Sequence, residues 1–498
     1  MRTLIGIDIG TSATRAVLIG ADGSVIGTAV RRHSVSEPQA GHAEHDAEKV
    51  WWKETCEVLR EISSCFPAEA AQLVAIGLSA VGASVVPVDA DARPLRPAIL
   101  YGIDRRALAQ IDSLERHFGA DEWRRRTGRD FSTQSVGPKI LWIEENEPEI
   151  AARTAQYLPP TAFLARRLGA EAMIDPHTAL AMHPLLRSDT MAWDEEAVAL
   201  ICRRDQLPAV VPAGTPIGAL SPAVAAMTGL RSGVPICCGT ADVLADSVAS
   251  GAIRPGDTMV MYGSTLFVVH VTDAFQPQPP FWASVYPVGG HHCVVTGTST
   301  AGAAADWWLE LAGCREPSNR DAMLAKVANV RAFDDGLVFL PYLRGERAPI
   351  FIPSARGVFF GLTTQHTSAH LYRAVLESIG FSLRHVLDEM RLKSRRILVS
   401  GGGSDLPLPL QIAVDASGAS QLKARRGRSA GYGAAVLAGI GAGAIPPYAL
   451  SDDFFGGFDV IEPLGASSAS EGYALYRKVS AAATTLFGAD PVKTSGQT

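Results

Sequence analysis

A chain of 498 residues is too long for one hydrophobic core, so two domains are expected, each able to bury a sizeable interior. With 47% hydrophobic and 19% charged residues, the composition excludes a disordered chain and describes a globular one. The formal net charge of −6 argues against nucleic acid as a partner, yet leaves room for a local phosphate site built from backbone amides and one or two arginines.

Residues 4–9 and 13–19 are apolar runs of strand character, and between them lie Gly10, Thr11 and Ser12, with Asp8 two residues before the glycine. Such a turn offers unhindered N–H groups and two hydroxyls to an anion. Asp8 would hold Mg²⁺ through water, and Arg15 would neutralise phosphate charge. An ordinary Gly-Thr hairpin with Asp8 as a turn residue has the same sequence, and the stretch alone does not choose. The first apolar run is interrupted by Asp8 and lacks a small-residue cleavage site, so it does not read as a signal peptide.

Residues 47–62 follow a helical pattern, and 73–78 and 84–88 are strand-like, which is α/β construction. The apolar run 234–238 ends at Gly239, which leaves Asp242 at the carboxyl end of a strand. Further on, 258–261 and 266–271 flank Gly263, Ser264 and Thr265 much as the opening strands flank Gly10. Two such loops suggest an internal duplication with a nucleotide held between related domains. A long helix is expected from 369 to about 391, with Thr367 or Ser368 as its N-cap. The strand 396–399 then feeds a third glycine turn at Gly401, Gly402 and Gly403, followed by a helical 408–416.

The uncharged, Gly/Ala-rich stretch 429–451 is broken by Pro446 and Pro447, so it reads as a buried, closely packed helix and a loop rather than a membrane span. The seven cysteines contain no C-x-x-C, which indicates neither a zinc site nor a disulfide framework and fits a reducing, cytoplasmic setting. His33, His42 and His45 are too irregularly spaced for a metal site. The basic cluster Lys423, Arg425, Arg426 and Arg428 either faces solvent or lies near the nucleotide.

There is no G-x-x-x-x-G-K-[ST], and Gly439-Ile440-Gly441 follows a helix rather than a strand, so neither a P-loop nor a dinucleotide fingerprint is present. Three glycine turns spread along the chain, the first with an Asp two residues before its Gly, resemble the actin-like ATPase superfamily. Within it the chain resembles the FGGY carbohydrate kinases from about residue 4 to about residue 443. Gly357-Val358-Phe359-Phe360-Gly361-Leu362, seven residues, and then His370-Leu371-Tyr372-Arg373-Ala374-Val375-Leu376-Glu377 match that family's C-terminal signature. Pro341 to Pro349 and Gly41-His42-Ala43-Glu44-His45-Asp46 before Trp51-Trp52 support it, and Lys139-Ile140-Leu141-Trp142 is a looser match to the N-terminal signature.

The resemblance implies two actin-like (ribonuclease H-like) α/β domains with an interdomain catalytic cleft. Residues 1–247 would bind sugar and carry the base, 256–445 would bind nucleotide, and 446–498 would form a C-terminal extension. It implies that Asp242 is the catalytic base, the alternative being a helix N-cap, and that Asp8 and Asp242 hold Mg²⁺. The phosphates of ATP would fall to Gly10, Thr11, Ser12, Arg15, Gly263, Ser264 and Thr265, and the adenosine to Gly401, Gly402 and Gly403. Asp246 reads as a helix-surface residue.

Xylulokinase-like members carry Gly-Gln-Met-His where this chain has Ser79-Ala80-Val81-Gly82-Ala83-Ser84, so the pocket at Gly82 and Ala83 is larger or differently shaped. Tyr101 would pack on the carbon face of the sugar and Asp104 would accept from its hydroxyls, a surface Asp–Arg pair being the alternative. The expected function is ATP-dependent phosphorylation of a small sugar such as the ketopentose D-xylulose. Another ketose, a polyol or a sugar acid is the alternative substrate, and a weakened sugar- and nucleotide-binding sensor the alternative role. The expected partner is the sugar alone, without nucleic acid or membrane, and a homodimer is the family-based expectation.

Overall fold

The computed structural model describes residues 1–488 apart from 279, 428 and 465; Arg428 of the basic cluster and residues 489–498 of the C-terminal extension thus lie outside the described residues. Two compact units are found. The first holds Met1–Arg254, Val271–Cys293 and Arg425–Gly457, and the second holds Pro255–His270, Val294–Ala424 and the described residues from Phe458 onward. This division is not the linear one into 1–247, 256–445 and 446–498, chiefly because 425–457 belongs to the first unit.

The first unit is built on a seven-stranded sheet. Its strands are β1 (Thr3–Ile9), β2 (Ala13–Gly20), β3 (Val25–Arg32), β4 (Leu73–Ala80), β5 (Pro216–Ala219), β6 (Pro235–Cys237) and β7 (Thr240–Ala241). The order is β5-β6-β4-β1-β2-β3, with β7 also paired to β4. An antiparallel meander, β1-β2-β3, runs into a parallel part, since β1 pairs with β4, and β4 pairs with β6 and β7, in the same direction. Strand β1 is wholly buried, as a central strand covered on both faces is, and it takes Asp8 into the interior with it.

One face of β1 and β4 is covered by the helix Ala430–Gly441. Small residues let it approach backbone to backbone: a Cβ at Gly77 of β4 would stand 1.9 Å from the Ala434 carbonyl oxygen. That close fit explains why 425–457 joins the first unit, and it agrees with the reading of this stretch as a buried helix. Among the described residues no helix is long and apolar enough to cross a membrane.

The second unit repeats the strand plan. Its strands are β8 (Asp257–Tyr262), β9 (Leu266–Thr272), β10 (His292–Gly297), β11 (Arg396–Ser400), β12 (Gln421–Ala424) and β13 (Phe458–Ile461), in the order β10-β9-β8-β11-β12-β13. The pair β8-β9 is antiparallel and β8-β11 and β11-β12 are parallel, matching β1-β2, β1-β4 and β4-β6. The long helix runs over Ser368–Met390, its N-cap Thr367 exchanging bonds with His370 in a capping box.

Candidate active site

Strand register decides what surrounds Asp8. It lies opposite Arg15 across the β1-β2 hairpin and opposite Ser79 in the parallel pair β1-β4. The Ser79 hydroxyl donates to Asp8 Oδ1 at 3.0 Å, and Arg15 Nη1 stands 3.7 Å from Oδ2. Burial outweighs both and pushes the Asp8 carboxyl up to about 6.

The turn after β1 closes through the Gly10 N–H on the Ala13 carbonyl at 2.9 Å. The N–H groups of Thr11 and Ser12 meet no acceptor among the described residues, so both remain for an anion. The Thr11 hydroxyl and the Tyr101 phenol are hydrogen-bonded at 3.1 Å, which brings Tyr101 beside this turn.

Asp242 comes from the opposite side of the same strand ends. Thr240 and Ala241 of β7 pair with Ser79 and Ala80, and Asp242 then opens the helix Asp242–Ala249. It is the first residue of the helix rather than its cap, which is Ala241; its Oδ1 accepts from the Val243 N–H at 2.8 Å. Burial, with the charge of Asp8 adding to it, pushes the Asp242 carboxyl up to about 7. A Cβ at Gly82 would stand 3.5 Å from the Ala241 Cβ, so the loop that follows β4 lies directly beside the residue that precedes Asp242.

Asp246 is not a free surface residue. It follows Asp242 by one helical turn on the same face, and burial together with the charges of Asp8 and Asp242 raises its carboxyl well above the usual range. The Asp-x-x-x-Asp spacing was the available signal. Three mutually repelling carboxylates therefore share one corner with Arg15. Among the described residues no three His, Cys, Asp or Glu side chains converge closely enough to chelate a metal directly.

Ala83 is held with φ +53°, and its carbonyl accepts from Lys139 Nζ at 3.1 Å. That lysine is buried, which lowers its amine to about 7. Asp104 corrects the sequence reading: it is 1% exposed, neither a surface residue nor open to a sugar. Its two oxygens take the Arg106 side chain at 2.7 and 3.0 Å, the Arg106 N–H at 3.0 Å and the Ala43 N–H at 2.7 Å, which leaves it structural.

In the second unit the corresponding turn follows β8. The Gly263 carbonyl accepts from the Gly302 N–H and the Ser264 carbonyl from Ala301 and Ala303, at 2.9–3.1 Å, while the Ser264 and Thr265 N–H groups meet no described acceptor. Gly401 has φ +84°, and a Cβ there would stand 2.6 Å from the Tyr262 carbonyl oxygen, so the third glycine turn lies against the second. Gly402 faces open space, a Cβ at Gly403 would come 2.9 Å from the same Tyr262 oxygen, and Lys423 Nζ pins the turn through the Ser404 carbonyl at 2.6 Å.

Comparison with known proteins points one way. The model for the N-terminal domain of the FGGY family of carbohydrate kinases matches residues 3–249, and that for the C-terminal domain matches 258–442. A xylulose kinase of Escherichia coli is 31% identical over 88% of this chain and 90% of its own length. A gluconokinase of Bacillus licheniformis is 27% identical over 91% of this chain and 90% of its own. Among solved structures, a xylulose kinase from Rhodospirillum rubrum superposes with a TM-score of 0.88 and 28% identity, covering 97% of this chain and 99% of that one.

Proposed function

From a chain that belongs to the FGGY family of carbohydrate kinases, with the family's two-domain actin-like fold, we propose an enzyme that transfers the γ-phosphoryl group of ATP to a hydroxyl of a ketopentose such as D-xylulose. The observation that carries this reading is Asp242: a carboxylate at the head of a helix, next to the Gly82 loop, held near neutrality by burial and by Asp8.

Asp242 accepts the proton of the attacking hydroxyl. The Thr11 and Ser12 N–H groups and Arg15 orient the phosphates in the first unit, and Gly263, Ser264 and Thr265 in the second. Gly401, Gly402 and Gly403 take the adenosine. Tyr101, Gly82 and Ala83 line the sugar side, with Lys139 holding the Ala83 carbonyl. Mg²⁺ fits the donor chemistry, because the oxygens of Asp8, Asp242 and Asp246 are hard ligands and a cation that keeps several waters needs no direct three-carboxylate chelate. When bound, it would neutralise charge on the transferring phosphoryl group.

The raised Asp242 carboxyl sets the pH dependence. As a base it works only when ionised, so kcat/KM for the sugar rises with pH up to about 7 and levels off above it. A flat profile between about pH 5 and 8 would contradict the assignment.

Substrate is tested by ADP release with Mg²⁺·ATP across ketopentoses, polyols, hexuloses and sugar acids. D-Xylulose is expected to give the highest kcat/KM. Selective response to a sugar acid would instead support a gluconokinase-like enzyme, and sugar binding with no turnover would support the sensor.

A further inference from the structure

We propose that His33, braced by Glu54, is a positioning residue that aims the Thr11 N–H of the turn at 10–12 toward the nucleotide phosphates; the inference rests on the assignment of that turn to the nucleotide. His33 directly follows β3 and its side chain is 5% exposed. Its Nε2 lies 3.1 Å from the Gly10 carbonyl oxygen, and its own backbone N–H donates to the Ser12 carbonyl at 3.0 Å. One residue thus holds the carbonyls at both ends of the turn. His33 Nδ1 lies 2.8 Å from Glu54 Oε2, which heads the α-helix Glu54–Cys65.

The consequence follows from peptide planarity. In a trans peptide the carbonyl of one residue and the N–H of the next point in opposite directions in one plane. Holding the Gly10 carbonyl against His33 therefore aims the Thr11 N–H away from it, and that N–H meets no described acceptor. The ring of His45 sits edge-on to His33 at 4.8 Å and takes the Trp51 indole N–H on Nδ1 at 3.2 Å, which packs it against the ring that holds Gly10. Its tautomer then leaves the proton on Nε2, and burial keeps the ring neutral by lowering it to about 4. For His33, both partners are acceptors, so the ring serves both only when each nitrogen carries a proton, with the Glu54 carboxylate as counter-ion. The second unit turns the carbonyls of Gly263 and Ser264 aside with the backbone around Gly302; in the first unit the His33 side chain takes the Gly10 carbonyl and the His33 backbone the Ser12 carbonyl.

The test compares wild type with His33→Ala, His33→Gln and Glu54→Gln. Calorimetry measures binding of ADP and a non-hydrolysable ATP analogue, and kinetics give KM for ATP and for the sugar separately. His33→Ala is expected to weaken nucleotide binding about 10- to 100-fold, the worth of one charge-assisted hydrogen bond, and to raise KM for ATP alike while KM for the sugar stays unchanged. His33→Gln, whose amide can still donate to Gly10, recovers most of the loss, and Glu54→Gln falls between. Equal nucleotide binding by wild type and His33→Ala would overturn the proposal. So would equal weakening of sugar and nucleotide binding accompanied by a fall in Tm, which marks a merely structural role. A wild type that binds no nucleotide would instead overturn the assignment of the turn itself.

Discussion

Asp242→Asn is expected to abolish phosphoryl transfer and yet to unfold at a higher temperature than the wild type at pH 8. The loss of activity follows from removing the group proposed to accept the hydroxyl proton, a contribution of roughly 10²–10⁴-fold for general-base catalysis. The gain in stability follows from linkage. A carboxyl raised from 3.8 to about 7 binds its proton more tightly in the folded state, so its contribution to stability falls as pH rises through that window. At pH 8 the wild type carries the full penalty of an ionised, half-buried Asp242 beside Asp8, and the neutral amide carries none. Near pH 4 the two proteins should unfold at similar temperatures. Thermal unfolding at both pH values, with turnover measured on the same samples, checks this; a variant less stable at pH 8, or one that keeps near-normal turnover, would remove Asp242 from the role given to it.

Gly433→Val is expected to destabilise the first unit strongly. A Cβ at this position of the helix Ala430–Gly441 would stand 1.8 Å from the carbonyl oxygen of Ala245, in the helix that begins with Asp242. The obstacle is backbone, so no rotamer change relieves it and one helix must move. The cost lies at or above the roughly 1–3 kcal/mol usual for overpacking a core. Displacing Asp242 by even about an ångström also costs rate, since phosphoryl transfer depends on positioning. The expected outcome is a lowered Tm together with a lowered kcat; an unchanged Tm would mean that the two helices are not packed as described.

Much of this architecture is legible in local pattern. The runs 4–9 and 13–19 became Thr3–Ile9 and Ala13–Gly20, and the helix expected over 369–391 became Ser368–Met390, because long apolar periodicities and a cap leave little choice. Winding was less visible: the pattern over 47–62 gives no sign that Ala47–Lys53 is π-wound before the α-helix Glu54–Cys65. Nor does local pattern reveal which unit a buried helix will join, since that depends on where Gly77 and Gly433 leave room for it.

Around the site, the residues missed are those defined by partners remote in sequence. Ser79 reaches Asp8 only through strand register, and Asp104 looked open until Arg106 and the Ala43 N–H filled its oxygens. His33 was set aside for its irregular spacing, yet it serves Gly10 and Glu54, 23 and 21 residues away. Asp246 alone carried a readable signal, one helical turn beyond Asp242.

The most direct measurement is ³¹P NMR of the wild-type protein incubated with Mg²⁺·ATP and D-xylulose. A phosphate monoester resonance growing in step with ADP, absent with Asp242→Asn, is the predicted result. Inorganic phosphate alone, or a monoester formed equally well by Asp242→Asn, would contradict a sugar kinase that uses Asp242 as its base.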